Sequence, residues 1–155
     1  MSVRADAETF RSIPLFADCD ATHLQLLAFS AVRQSFDEGD VIIKQGIKGG
    51  AAFLILSGRA TISSDADGKI GSAGPGAMLG EVAMIGDRPY AVTARATEHV
   101  NAARIDRGLF MRVANEYPEF GATVFEALAR KLELSMGDLA LVRNAFDRAR
   151  TFRGL

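Results

Sequence analysis

Glycines recur through the middle of the chain, from Gly39 to Gly86, never more than ten residues apart, and the stretches between them are short and aliphatic or β-branched. Such punctuation breaks helices and supplies turns, so this region is restricted to short strands. The string "FDEGDVIIKQG" (36–46) places a turn at Asp37-Glu38-Gly39-Asp40 between Phe36 and Val41. In "AAFLILSGRATISS" (51–64) the Ser57-Gly58 step between two apolar halves reads as a tight turn or a bulge. "DADGKIGSAGPGAML" (65–79) adds an Asp67-Gly68 hairpin turn and a Gly74-Pro75-Gly76 corner. The pattern predicts a small antiparallel β-barrel or jelly roll.

Helical signals are confined to the flanks. A short helix is expected from Ala5 to about Phe10, followed by an extended link through "SIPLF", because Pro14 drives Ile13 out of the α region. Asp20 is placed to cap a second helix in which Leu24, Leu27 and Ala28 recur at helical spacing up to about Ala31. A third runs from about Asp106 to Glu116 and closes at Tyr117-Pro118. Beyond it Leu128, Leu132, Ser135, Leu139, Val142, Phe146 and Ala149 alternate in steps of three and four, a seam of coiled-coil type. Gly137 interrupts that seam and Asp138 can cap a new helix, so a joint and candidate hinge is read there. The fold class is therefore α+β: a jelly roll flanked by N-terminal helices and a C-terminal helix pair. Residues 1–136 form the main domain, and 137–155 form a terminal helix suited to dimerisation or to service as a lid.

Composition excludes several function classes. The 155 residues are 48% hydrophobic and 24% charged, with no stretch near the roughly 20 apolar residues a membrane span needs. No apolar core follows the basic residue of "MSVRADAETFRSIPLF", and the lone Cys19 has no disulfide partner within the chain, which together imply a cytoplasmic protein. The net charge of −1 offers no field for a polyanion. Arg143, Arg148, Arg150 and Arg153 read best as a helix terminus complementing its dipole. His23 and His99 stand apart from any carboxylate or cysteine at metal-ligand spacing, and no nucleophile motif occurs, so the chain does not read as an enzyme.

Several strings together resemble the cyclic nucleotide-binding domain of catabolite activator proteins, protein kinase A regulatory subunits and cyclic nucleotide-gated channels. "FDEGDVIIKQG" resembles the family's early hairpin, and "GGAAFLILSGRATI" (49–62) its glycine-led strand. "GPGAMLGEVAMIGDRPYAVTARA" (74–96) is similar to its phosphate-binding cassette, and "RIDRGLFMRVANEYPEF" (104–120) to the helix that follows. The resemblance implies ligand contacts at Gly80, Glu81, Val82, Ala83, Arg88, Tyr90, Ala91 and Val92, with cyclic AMP or cyclic GMP as the possible ligand. Glu81 would accept a hydrogen bond from the ribose 2′-hydroxyl. Ala91 and Val92 would offer a backbone N–H to a phosphate oxygen, which leaves their side chains free to vary. A helix opening at Gly80-Glu81 would turn its unpaired N–H groups toward the anion.

The departure is at Tyr90. The family places an arginine there, paired with the phosphate, whereas this chain reads Pro89-Tyr90-Ala91-Val92. A charge-assisted hydrogen bond contributes about 1.5–3 kcal/mol, so its loss weakens binding by roughly 10- to 150-fold. Arg88 is the cation nearest in sequence and could reach the same anion; Tyr90 could stack on a flat ligand, fill the pocket from inside, or be an ordinary half-buried aromatic. Two readings follow: a sensor for a cyclic nucleotide or related phosphorylated ligand that signals through its C-terminal helices, or a degenerate domain acting as a dimerising or docking scaffold through residues 128–149. The chain stops at Leu155, which leaves no length for a helix-turn-helix after the seam and excludes DNA binding in the family's usual manner.

Overall fold

A computed structural model describes residues 3–131. Two helices lead: α1 (Val3–Arg11) and α2 (Ala21–Ser30). Ile13 between them is extended, as Pro14 demands, but Pro14–Phe16 winds into a 3₁₀ turn in place of the expected extended link. Proline at the first position brings its φ already set for a helical turn, and burial of Leu15 and Phe16 holds the turn in place. Asp20 caps α2 by accepting from Thr22 N at 2.8 Å, and that N–H holds its carboxyl below the usual range.

Eight strands follow: β1 (Val32–Phe36), β2 (Val41–Ile43), β3 (Ala51–Ser57), β4 (Ala60–Ser64), β5 (Gly68–Ala73), β6 (Met78–Leu79), β7 (Thr93–Ala96) and β8 (Val100–Asp106). They form two antiparallel four-stranded sheets, β1-β8-β3-β6 and β2-β7-β4-β5, the jelly-roll arrangement that the glycine spacing predicts. Between β6 and β7 lies a short helix, α3 (Glu81–Gly86), and after β8 come α4 (Arg107–Glu116) and α5 (Pro118–Lys131).

The Asp67-Gly68 turn closes a β4–β5 hairpin. Ser57-Gly58 serves differently: β3 pairs with β8 and β6 while β4 pairs with β5 and β7, so this step carries the chain from one sheet into the other. A shift in the β3–β8 register between Ile55 and Ser57 marks the bend.

Two cores share one wall. Ala51, Phe53 and Ile55 of β3, with Val100 and Ala102 of β8, face the second sheet. Ala52 and Leu54, with Ala103 and Ile105, face the helices. Strands buried on both faces read as continuous apolar runs, which explains "AAFLIL". On the helical side Phe16 stacks on Phe120 with ring centroids 6.4 Å apart, and His23 lies 4.6 Å from the ring of Tyr117. Leu128, the first residue of the seam, is buried in this core. The rest of the seam, the joint at Gly137 and the terminal arginines lie outside the described residues. Cys19 is buried, and desolvation followed by the neighbouring Asp18 pushes its thiol up to about 11.

Phe120 is fully buried where the N-terminal helices, α4 and α5 meet. Phe120→Ala is expected to cost about 3–5 kcal/mol in urea unfolding. A loss under about 1 kcal/mol would mean that α5 does not belong to the folded unit.

Candidate functional site

The site begins with Gly80, whose φ of +78° is left-handed, a conformation that costs other residues about 1–2 kcal/mol. A second constraint acts on the same residue: a Cβ there would lie 2.6 Å from Cε1 of Tyr90. Gly80 is thus required both by the turn into α3 and by the ring lying against it.

Tyr90 points inward. It is 8% exposed and belongs to the core between the sheets with Phe53, Leu79 and Ala83. Its hydroxyl donates to the carbonyl of Ala51 at 2.6 Å, tying the cassette to β3. Burial raises the phenol's pKa, offset in part by the positive charge of Arg104. Of the arrangements open to Tyr90 in the sequence, the structure adopts the one in which the side chain fills the barrel from inside.

The other cassette residues separate. Glu81 is the first residue of α3 and is buried. Ala83 joins Tyr90 in the inter-sheet core, whereas Val82 packs against the helical core on the opposite side and so does not share a face with the rest. Arg88 is half-buried, and its main chain serves the fold: its N–H donates to Ala83 and its carbonyl accepts from Gly49 N at 2.8 Å. Tyr90 N and O pair in turn with Ile47 O and Gly46 N. Ala91 is exposed and Val92 half-buried. The cassette is therefore clamped along Gly46–Gly49, and Gly49 itself has no room for a side chain, since a Cβ would meet that of Ala83 at 2.6 Å.

One residue of the stretch carries more than its sequence suggests. Asp87, to which the sequence assigns no role, has a φ of +56° and closes α3. Its carboxylate lies 3.4 Å from Lys48 Nζ and 3.7 Å from Arg107 Nε, joining the cassette to the β2–β3 loop and to the first residue of α4. Arg104, also unremarked in the sequence, places its charge near Tyr90 and pairs with Asp106 at 3.0 Å. Asp87 and its two partners, and Arg104 and Tyr90, are far apart in the chain, and no local pattern announces these contacts. Among the described residues no group of three or more His, Cys, Asp and Glu could hold a metal ion, and no helix is long and apolar enough to cross a membrane.

The family model for the cyclic nucleotide-binding domain matches residues 33–117, more than half of the chain, from within β1 to just past the end of α4. The chain belongs to the cyclic nucleotide-binding domain family. It is 30% identical over 99 residues, 64% of its length, to a cAMP-dependent protein kinase regulatory subunit of Yarrowia lipolytica, of which the match covers 26%. The chain thus spans about a quarter of the length of the curated relatives it matches. A cyclic nucleotide-binding-like protein from Brucella abortus superimposes with a TM-score of 0.63 at 30% identity, covering 70% of this chain and 97% of that one. The cAMP-bound PfPKA-R shares the fold with a TM-score of 0.69 at 23% identity, covering 89% of this chain and 46% of that one.

Tyr90→Phe removes the donor to Ala51 and is expected to cost about 1–2 kcal/mol in thermal or urea unfolding. Because the phenol's pKa is raised in the folded state, its contribution to stability is complete below the ordinary value of about 10 and fades as pH rises through the higher folded value. Ultraviolet difference titration of the parent against Tyr90→Phe should show Tyr90 ionising above the ordinary range; ionisation at or below it would place the ring in solvent.

Proposed function

We propose that this chain is a non-enzymatic regulatory module in which the side chain of Tyr90 takes the phosphate end of the cyclic nucleotide site. Cyclic AMP and cyclic GMP then bind weakly, and the module acts mainly as a scaffold for a protein partner or a second copy. The observation that carries this reading is the buried Tyr90, hydrogen-bonded to Ala51 and lying over Gly80. An anion at that end requires the ring to leave, which forfeits one hydrogen bond and the burial of an aromatic side chain. Together these cost about 2–4 kcal/mol, which lowers apparent affinity roughly 30- to 1,000-fold. No guanidinium at position 90 offsets that cost.

Isothermal titration of the parent and of Tyr90→Arg with both nucleotides tests it. The parent is expected to show no saturation up to about 1 mM, and Tyr90→Arg to bind at least about 10-fold more tightly. Micromolar affinity in the parent would overturn the reading.

A second reading, sensing of a nucleotide, is favoured by one feature: Glu81 is buried at the start of α3, where the family's ribose-binding glutamate stands. Under it, Glu81→Ala would abolish nucleotide binding measured in the parent.

The scaffold role is assigned to residues 128–149. Light scattering is expected to give a dimer for the full chain and a monomer for a chain ending at Gly137. Monomers in both would remove the self-association.

A further inference from the structure

We propose that the corner where β8 passes into α4 is a binding site for a small organic anion, separate from the cassette. A cavity of about 500 Å³ opens there between the end of α2, the start of β1 and the first turns of α4. That volume falls within the roughly 300–1,000 Å³ of sites that hold small molecules, which pair apolar walls with a few convergent polar groups.

The walls divide in that way. Val32 and Leu109 supply apolar surface, and Ser30, Arg104 and Arg112 supply a hydroxyl and two guanidinium groups. One carboxylate, Asp106, also lines the cavity, so its charge is net positive. Asp106 stands at the N-cap of α4 but makes no cap hydrogen bond there, and instead pairs with Arg104 at 3.0 Å. A single ion pair leaves further N–H donors on a guanidinium. Among the described residues Arg112 has no carboxylate partner. Val32 is 56% exposed, an apolar side chain at the mouth of a cationic cavity.

A carboxylate or phosphate carried on an apolar body meets both requirements. The acid lies between Arg104 and Arg112, where the paired forks favour planar or tetrahedral oxyanions, and the body lies on Val32 and Leu109. None of these residues belongs to the cassette; Arg104 also places its charge near Tyr90, so Arg112 is the cation that distinguishes this site from it.

The test is a titration of the ¹⁵N-labelled full chain with phenyl phosphate, benzoate and inorganic phosphate, following the amide signals of Gly108, Leu109 and Arg112. Saturable shifts are expected with phenyl phosphate or benzoate, and whichever saturates first identifies the acid. Inorganic phosphate, which lacks the apolar body, should bind more weakly. Arg112 is exposed on α4, so Arg112→Gln keeps the fold and should raise the dissociation constant at least about 10-fold, as should Arg104→Gln. Lys69→Gln, which removes an exposed cation from β5 in the other sheet, should leave it unchanged. The proposal is overturned by the absence of saturation up to about 10 mM. It is also overturned by equal affinity for inorganic phosphate, or by shifts that survive Arg112→Gln or vanish with Lys69→Gln.

Discussion

The structure depends on the pairing of β3 with β8, because these two strands form the wall that both cores share. Alternate residues along each strand enter opposite cores, with Phe53 and Ala102 facing the second sheet and Leu54 and Ala103 facing the helices. A slip of one residue would exchange the two sets and put side chains of the wrong size into both cores, so the register is tightly fixed. Everything attached to this wall inherits its position: β1 and β6 pair along its edges, and α4 continues directly from β8.

Beyond the pairing of β6 with β3, the cassette is tied to the same wall by two side chains. Tyr90 reaches back to the carbonyl of Ala51, the first residue of β3, and Asp87 reaches Arg107, the first residue of α4. Both anchors sit at the corner where β3 begins and β8 ends, since Ala51 pairs with Asp106. Placing a phenol where the family resemblance expects a guanidinium therefore changes what the position does. A cation there would be held for an incoming anion, whereas the tyrosine is satisfied by the protein's own main chain and has no need of one.

Much of this was legible before any coordinates. The jelly roll followed from glycine spacing, the cap of α2 from Asp20, and the end of α4 from Tyr117-Pro118, because turns, caps and breakers are local consequences of residue type. The link through Pro14 is a 3₁₀ turn and not extended: proline restricts the residue before it but also presets a helical φ for itself, and burial of Phe16 favours the turn. Within the cassette, the glycine at its start and the unusual Tyr90 were visible. The opposite orientations of Val82 and Ala83, the ion pairs of Asp87 and the placement of Arg104 near Tyr90 were not, because each depends on partners brought in from elsewhere in the chain.

By itself the sequence determined the class of fold, the membership of the cyclic nucleotide-binding family that the resemblance pointed to, and the absence of an arginine at position 90. It left three fates open for Tyr90. Tertiary structure alone decided among them, since the choice between a ring that stacks on a ligand, one that fills the pocket from inside and an ordinary half-buried one rests on whether an acceptor and an uncrowded neighbour lie within reach. Ala51 O supplies the first and Gly80 the second. Their positions are set by the twist and register of β3 against β8 and β6, a long-range geometry that no local pattern of residues encodes.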